Sequence, residues 1–231
     1  MVAHNAIAAL VVAAVTAAGA AISVDFAKFD ESQWAQVRED RFPSPGTFVQ
    51  KDGCVLNAFP EGTSEKDLYE VKDGVGYTMR VLKGVEAADG RADLELELID
   101  RAAPSIVFRA QVPQAQGDVV PVHGPLYSLV IFNHGTPQRE YQGLNLWKWT
   151  GQAGQGGPKN WQKLAYWYIP ITRDQKHKLA VEYRGELIRV FVDGKEIGGV
   201  RDTAALGAGK VGVVAMEGAS KFYSFKFTPL K

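Results

Sequence analysis

GELIRVFVDGKEI, residues 185–197, is the stretch on which the fold turns. Leu187, Ile188, Val190, Phe191 and Val192 make a short β-branched and aromatic run that stops at Asp193-Gly194. Asp-Gly is the pair favoured in a two-residue type I′ turn, because both central residues take φ > 0. The same grammar extends outward: Ser105–Arg109, Tyr127–His134, Leu144–Thr150, Leu164–Ile171, Lys178–Tyr183, Val211–Ala215 and Phe222–Thr228 are short apolar runs separated by Gly, Pro, Asn or Asp, with almost no helical periodicity. Asp-Gly pairs also begin at Asp52, Asp73 and Asp89, and Asp tolerates the left-handed conformation that such turns use. The pattern predicts an all-β chain: a two-sheet antiparallel β-sandwich on the jelly-roll plan.

The order of the closing segments adds a resemblance. GELIRVFVDGKEI, then ALGAGKVGVVA (205–215), then KFYSFKFTPL (221–230) resembles the final strands of the concanavalin A-like lectin/glucanase superfamily, in its laminin-G-like and 3-keto-disaccharide-hydrolase-like branches. FDESQWAQV (29–37) followed by GTFVQKDGCVL (46–56) is similar to that family's opening Trp strand and Asp-Gly hairpin. The resemblance spans residues 26–230. Its motifs specify turns and core packing, so it implies a fold more sharply than an activity.

Composition fits one exported domain. The chain has 231 residues, with 26 Lys and Arg against 26 Asp and Glu, so its formal net charge is zero. No basic field exists to draw in nucleic acid or an anionic membrane. A neutral polymer is the better partner. Cys54 is the single cysteine, flanked by Gly53 and Val55, and reads as a core residue that cannot form an intramolecular disulfide. Residues 2–22 are almost all Ala, Val, Leu and Ile. Small residues at Ala17–Ala21 supply a cleavage site, although the segment has only His4 and the amino terminus as positive charge. The expectation is a signal peptide over 1–22, cleaved between Ala21 and Asp25 and followed by one sandwich domain over 23–231, in a protein that is secreted, periplasmic or at the cell surface. Uncleaved, the segment would be a hydrophobic anchor helix, the one membrane contact foreseen.

Two candidate sites stand out. In Asp93-Leu94-Glu95-Leu96-Glu97-Leu98, period-two alternation puts the leucines on one face and Asp93, Glu95 and Glu97 on the other. Hydrolases of the family carry a Glu-x-Asp-x-Glu strand, and the resemblance implies nucleophile and acid/base roles here. The order of the acids is inverted, however, and residues four apart on a strand are separated by roughly 13 Å of backbone, against about 5 Å between carboxyls for a retaining pair. The other reading is a solvated face of an amphipathic strand.

The second candidate lies in Gly143-Leu-Asn-Leu-Trp-Lys-Trp149, where core-directed Leu144 and Leu146 send Asn145, Trp147 and Trp149 to the opposite face. Two indoles and an amide suit a pyranose, whose C–H face stacks on rings while its hydroxyls take hydrogen bonds. Arg109, Asn133, His134 and Trp167 lie on neighbouring strands that could line the same groove. The other reading is that the rings fill the space between the sheets. No zinc-spaced Cys/His cluster, Gly-x-Ser-x-Gly elbow, nucleotide loop or HExxH occurs; a structural Ca²⁺ is admitted by the resemblance alone, with no ligand assigned. The expected function is binding of an oligo- or polysaccharide in the concave face. The alternatives are a glycoside hydrolase using Asp93, Glu95 and Glu97, or an extracellular scaffold or assembly subunit.

Overall fold

Alternating apolar and polar residues need two different surroundings, and stacking two sheets supplies them. The computed structural model describes residues 20–39, 46–58, 77–99, 101–135, 138–151 and 160–231. Among these the strands are β1 (Ile22–Asp25), β2 (Trp34–Val37), β3 (Phe48–Lys51), β4 (Cys54–Asn57), β5 (Thr78–Leu82), β6 (Gly90–Leu98), β7 (Ser105–Ala110), β8 (Leu126–Asn133), β9 (Gln142–Trp149), β10 (Trp161–Trp167), β11 (Lys176–Arg184), β12 (Leu187–Val192), β13 (Lys195–Arg201), β14 (Lys210–Ala215) and β15 (Ser220–Pro229). Three-residue 3-10 turns occur at Phe26–Lys28, Glu31–Gln33 and Arg139–Tyr141, and no described residue is α-helical. The apolar amino-terminal segment lies outside these residues through residue 19, as do the Asp73-Gly74 pair and most of the Gly-rich loop 151–160.

One sheet has eight strands in the order β13-β12-β11-β6-β15-β4-β3, with β1 also paired to β15. The other has seven, ordered β10-β9-β8-β7-β14-β5-β2, and the strand pairings in both are antiparallel. Between the sheets lie Leu94, Leu96, Phe225 and Phe227 from one side and Ile106, Leu129, Leu144 and Val213 from the other. Phe108 ties the layers together, stacked 5.0 Å from Tyr127 of its own sheet and 4.7 Å from Tyr183 of the facing one. Asp193 and Gly194 have φ of 51° and 80°, and Asp52 and Gly53 have 51° and 75°, as the hairpin chemistry requires.

Asp89-Gly90 is different: it is not such a turn. Gly90 opens β6, and a side chain there would meet the Phe227 ring at 2.5 Å. The Asp89 carboxylate accepts hydrogen bonds from the Gly185 amide at 2.8 Å and the Arg109 guanidinium at 3.3 Å. The pair is set by packing and by long-range polar contacts.

Candidate functional site

The outer face of the seven-stranded sheet should be polar if it faced water, yet it is not. On β8 Leu126, Ser128, Val130 and Phe132 point away from the inter-sheet core, on β7 Val107, on β14 Val214 and on β5 Met79; all are buried. They floor a groove of about 570 Å³, within the range of small-molecule sites. Its walls carry Trp147, Trp161, Tyr141, Asn145 and His134, with Glu39, Glu140 and Glu217 among the lining residues.

Strand pairing explains the aromatic wall. Leu144 and Leu146 lie in the core, so β9 turns Asn145 and Trp147 outward. On β10 Trp161 opposes Trp149 and Lys163 opposes Trp147, and opposed residues share a face. Trp147 meets Trp161 edge-on at 6.3 Å, and the Lys163 ammonium lies 4.7 Å from the Trp147 ring centre. Beside them the Asn145 Oδ1 and the Trp161 Nε1 are buried with no hydrogen-bond partner. Both atoms are shielded from solvent as the side chains lie, so a hydroxylated ligand reaches them only when these side chains turn toward the groove. At the far end His134 faces Glu217, 3.4 Å between Nε2 and a carboxylate oxygen, and lies against Phe132 and Tyr141.

Of the residues expected to hold a sugar, Trp147, Asn145 and His134 meet in this groove. Four do not line it. Trp149 shares the outward face but is 2% exposed, sealed by His123 and Trp161. Arg109 turns away because β7 bulges there: Ala110 pairs with Lys210 and Val107 with Gly212, which leaves Phe108 and Arg109 opposite Val211 alone. With φ at 48°, a strained setting outside glycine, Arg109 is buried and donates to the carbonyls of Ala88 and Gly185, both at 2.7 Å. The Asn133 amide donates to the Ile171 carbonyl while its Oδ1 accepts from the Gly135 amide. Trp167 opposes core residue Leu144, and its indole reaches Gly198 of the other sheet's edge strand.

Phe132, Tyr141, Trp161 and Glu217 were missed by the sequence reading. Alternation along Tyr127–His134 could have found Phe132, and the Trp161/Trp149 pairing needs only the β9–β10 register. Glu217 carries φ of 57° beyond the end of β14, so no periodicity marks it.

The acidic strand lies on the opposite side of the molecule. Leu94, Leu96 and Leu98 enter the inter-sheet core, so Asp93, Glu95 and Glu97 occupy the outer face of the eight-stranded sheet. Each has a basic partner: Arg91 holds Asp93 at 2.9 Å, Lys176 lies 3.6 Å from Glu95, and Lys221 lies 2.8 Å from Glu97. Burial on its own would push the Glu97 carboxyl up, but hydrogen bonds from Lys221 and Tyr223 outweigh it and hold that carboxyl below its ordinary range. A carboxyl held ionised is poorly set to donate a proton. These three acids and the aromatic groove cannot act on one bound sugar ring. Among the described residues no group of three or more His, Cys, Asp or Glu is placed to hold a metal ion.

No protein-family model matches the chain, and no curated protein matches it. Solved structures do. A carbohydrate-binding module, CBM66 from Bacillus subtilis, superposes with a TM-score of 0.55 at 14% identity, over 83% of this chain and 92% of that one. A Bacillus subtilis protein of unknown function with a galectin-like fold gives 0.64 at 12% identity, over 92% and 97%. The β-glucanase of Bacillus licheniformis gives 0.59 at 9% identity, over 92% and 99%. Two antiparallel sheets and the match to these neighbours give this chain the fold of a jelly-roll sandwich.

Proposed function

We propose that this protein binds carbohydrate in the groove on the outer face of its seven-stranded sheet. One observation carries the reading: the groove is lined by the half-buried Trp147 ring with the part-buried Asn145 amide two residues away on the same face, which sets an amide able to pair with hydroxyls next to a surface for a C–H face. The names of several structural neighbours, a carbohydrate-binding module and a β-glucanase among them, support it as analogy of fold. Binding is favoured over hydrolysis by Asp93, Glu95 and Glu97, because those acids are ion-paired and turned to the other side. The apolar segment 1–22 fits this reading as an export signal or anchor. Mass spectrometry of the exported protein, with a new amino terminus expected between Ala21 and Asp25, tests that part.

Affinity electrophoresis through gels containing mixed-linkage β-glucan or κ-carrageenan, backed by a glycan array, tests the groove. Wild-type protein is expected to be retained by at least one glycan, and Trp147→Ala to lose retention while keeping its fold. Glu95→Gln and Glu97→Gln should migrate as wild type, with no new reducing ends released. Retention of no glycan, or retention that survives Trp147→Ala, would overturn the assignment.

A further inference from the structure

Among the described residues the exposed aromatic side chains are three, Tyr141 at 42%, Tyr166 at 39% and Tyr168 at 36%. They gather in one place, where β8 and the edge strand β10 end and β9 begins, beside the 3-10 turn at Arg139–Tyr141. Tyr166 opposes Asn145 and so shares the groove's face; Tyr168 follows two residues later. One ring contact joins groove to edge, Phe132 lying 6.4 Å from Tyr166, while within the groove His134 lies 6.1 Å from Tyr141.

These rings are held in place although they are exposed. The Tyr166 hydroxyl lies within hydrogen-bond reach of the carbonyls of Arg139 and Gln142, which share its one proton, and its ring lies over Gly143, where a side chain would meet it at 3.2 Å. Gly143 has φ of 133°, open to glycine and strained for other residues. The Arg139 guanidinium sits 4.4 Å from the Tyr168 ring centre. Fixing a ring before a ligand arrives removes part of the ordering cost of binding.

We propose that Tyr166 and Tyr168 form an outer stacking platform continuous with the groove, and that the ligand is therefore an extended glycan chain whose further sugars leave the groove along β10. This rests on the groove reading and goes beyond it in specifying a polymer instead of a terminal sugar. From Trp161 to Trp167 the strand covers roughly 20 Å at about 3.3 Å per residue, enough for several rings.

The test uses calorimetric titration with the disaccharide and the hexasaccharide of the polysaccharide that retains the protein. The hexasaccharide should bind more tightly. Tyr166→Ala and Tyr168→Ala should each weaken it about tenfold, borrowing the lower part of the range for rings stacked on aromatic side chains. Disaccharide affinity should stay within about twofold, and Tyr168→Phe, which keeps the ring, should bind as wild type. Equal affinity for the two lengths in wild type, equal losses for both sugars, or no loss for either, would overturn the platform and leave the groove standing. Binding that survives Trp147→Ala, or no binding of any glycan, would overturn the groove reading and the platform with it.

Discussion

Trp147 and Trp149 sit two residues apart on one face of β9, and replacing each by alanine is expected to fail in a different way. Trp147 borders open space, so its loss should remove binding at little cost to stability. Trp149 is 2% exposed, and its truncation should destabilise the fold by about 3–5 kcal/mol, read as a lower urea midpoint. Glu97 makes a second residue-level case. Its folded carboxyl is held below the ordinary range, since the bonds from Lys221 and Tyr223 outweigh burial. A lowered folded value contributes stability above the unfolded carboxylate range and loses it as pH falls through the folded value. Glu97→Gln should therefore be less stable than wild type at pH 7, and the gap should close in acid, as paired urea titrations would show. Alternation foresaw the outward placement of Trp147 and Asn145 correctly. It assigned no face to Arg109, whose direction is set by a bulge that leaves no mark in composition.

At the scale of elements, the connection from β13 to β14 is anchored by a buried polar cluster. Lys148 on β9 donates to the Asp202 carboxylate at 2.7 Å and to the Ala204 carbonyl at 2.6 Å, while the Tyr127 hydroxyl donates to Asp202 and accepts from the Leu206 amide. Burial, with the Asp202 bond adding to it, pushes the Tyr127 phenol up to about 12. Asp202→Ala would strand the Lys148 ammonium, whose side chain is 5% exposed, and should cost about 3–5 kcal/mol. Lys148→Met combined with Asp202→Leu removes both charges and should recover part of that loss, measured as a coupling energy in a double-mutant cycle. The strands themselves were legible from β-branched runs and Asp-Gly punctuation. The partnership of a lysine on β9 with an aspartate after β13 was not, because it joins positions 54 residues apart that no local pattern connects.

At the scale of the whole molecule, the sandwich and its closing strand order could be read from the sequence, but the order of strands within each sheet could not. Neighbours in the sheets are far apart along the chain: β15 pairs with β6 on one side and with β4 and β1 on the other. Sheets assembled from such distant partners fold on the millisecond-to-second scale, because loop closure precedes the contacts that reward it. Far-ultraviolet circular dichroism of protein lacking residues 1–22 should show strand without appreciable helix; a helix-dominated spectrum would contradict the architecture. The position of β15 also bears on synthesis. Until Ser220–Pro229 has been made, β1 has no strand partner, and β4 can reach no further than β3. The domain is thus like an arch whose keystone is cut last: chains arrested on the ribosome before Ser220 should be digested by protease, while those extended well past Lys231 should resist it.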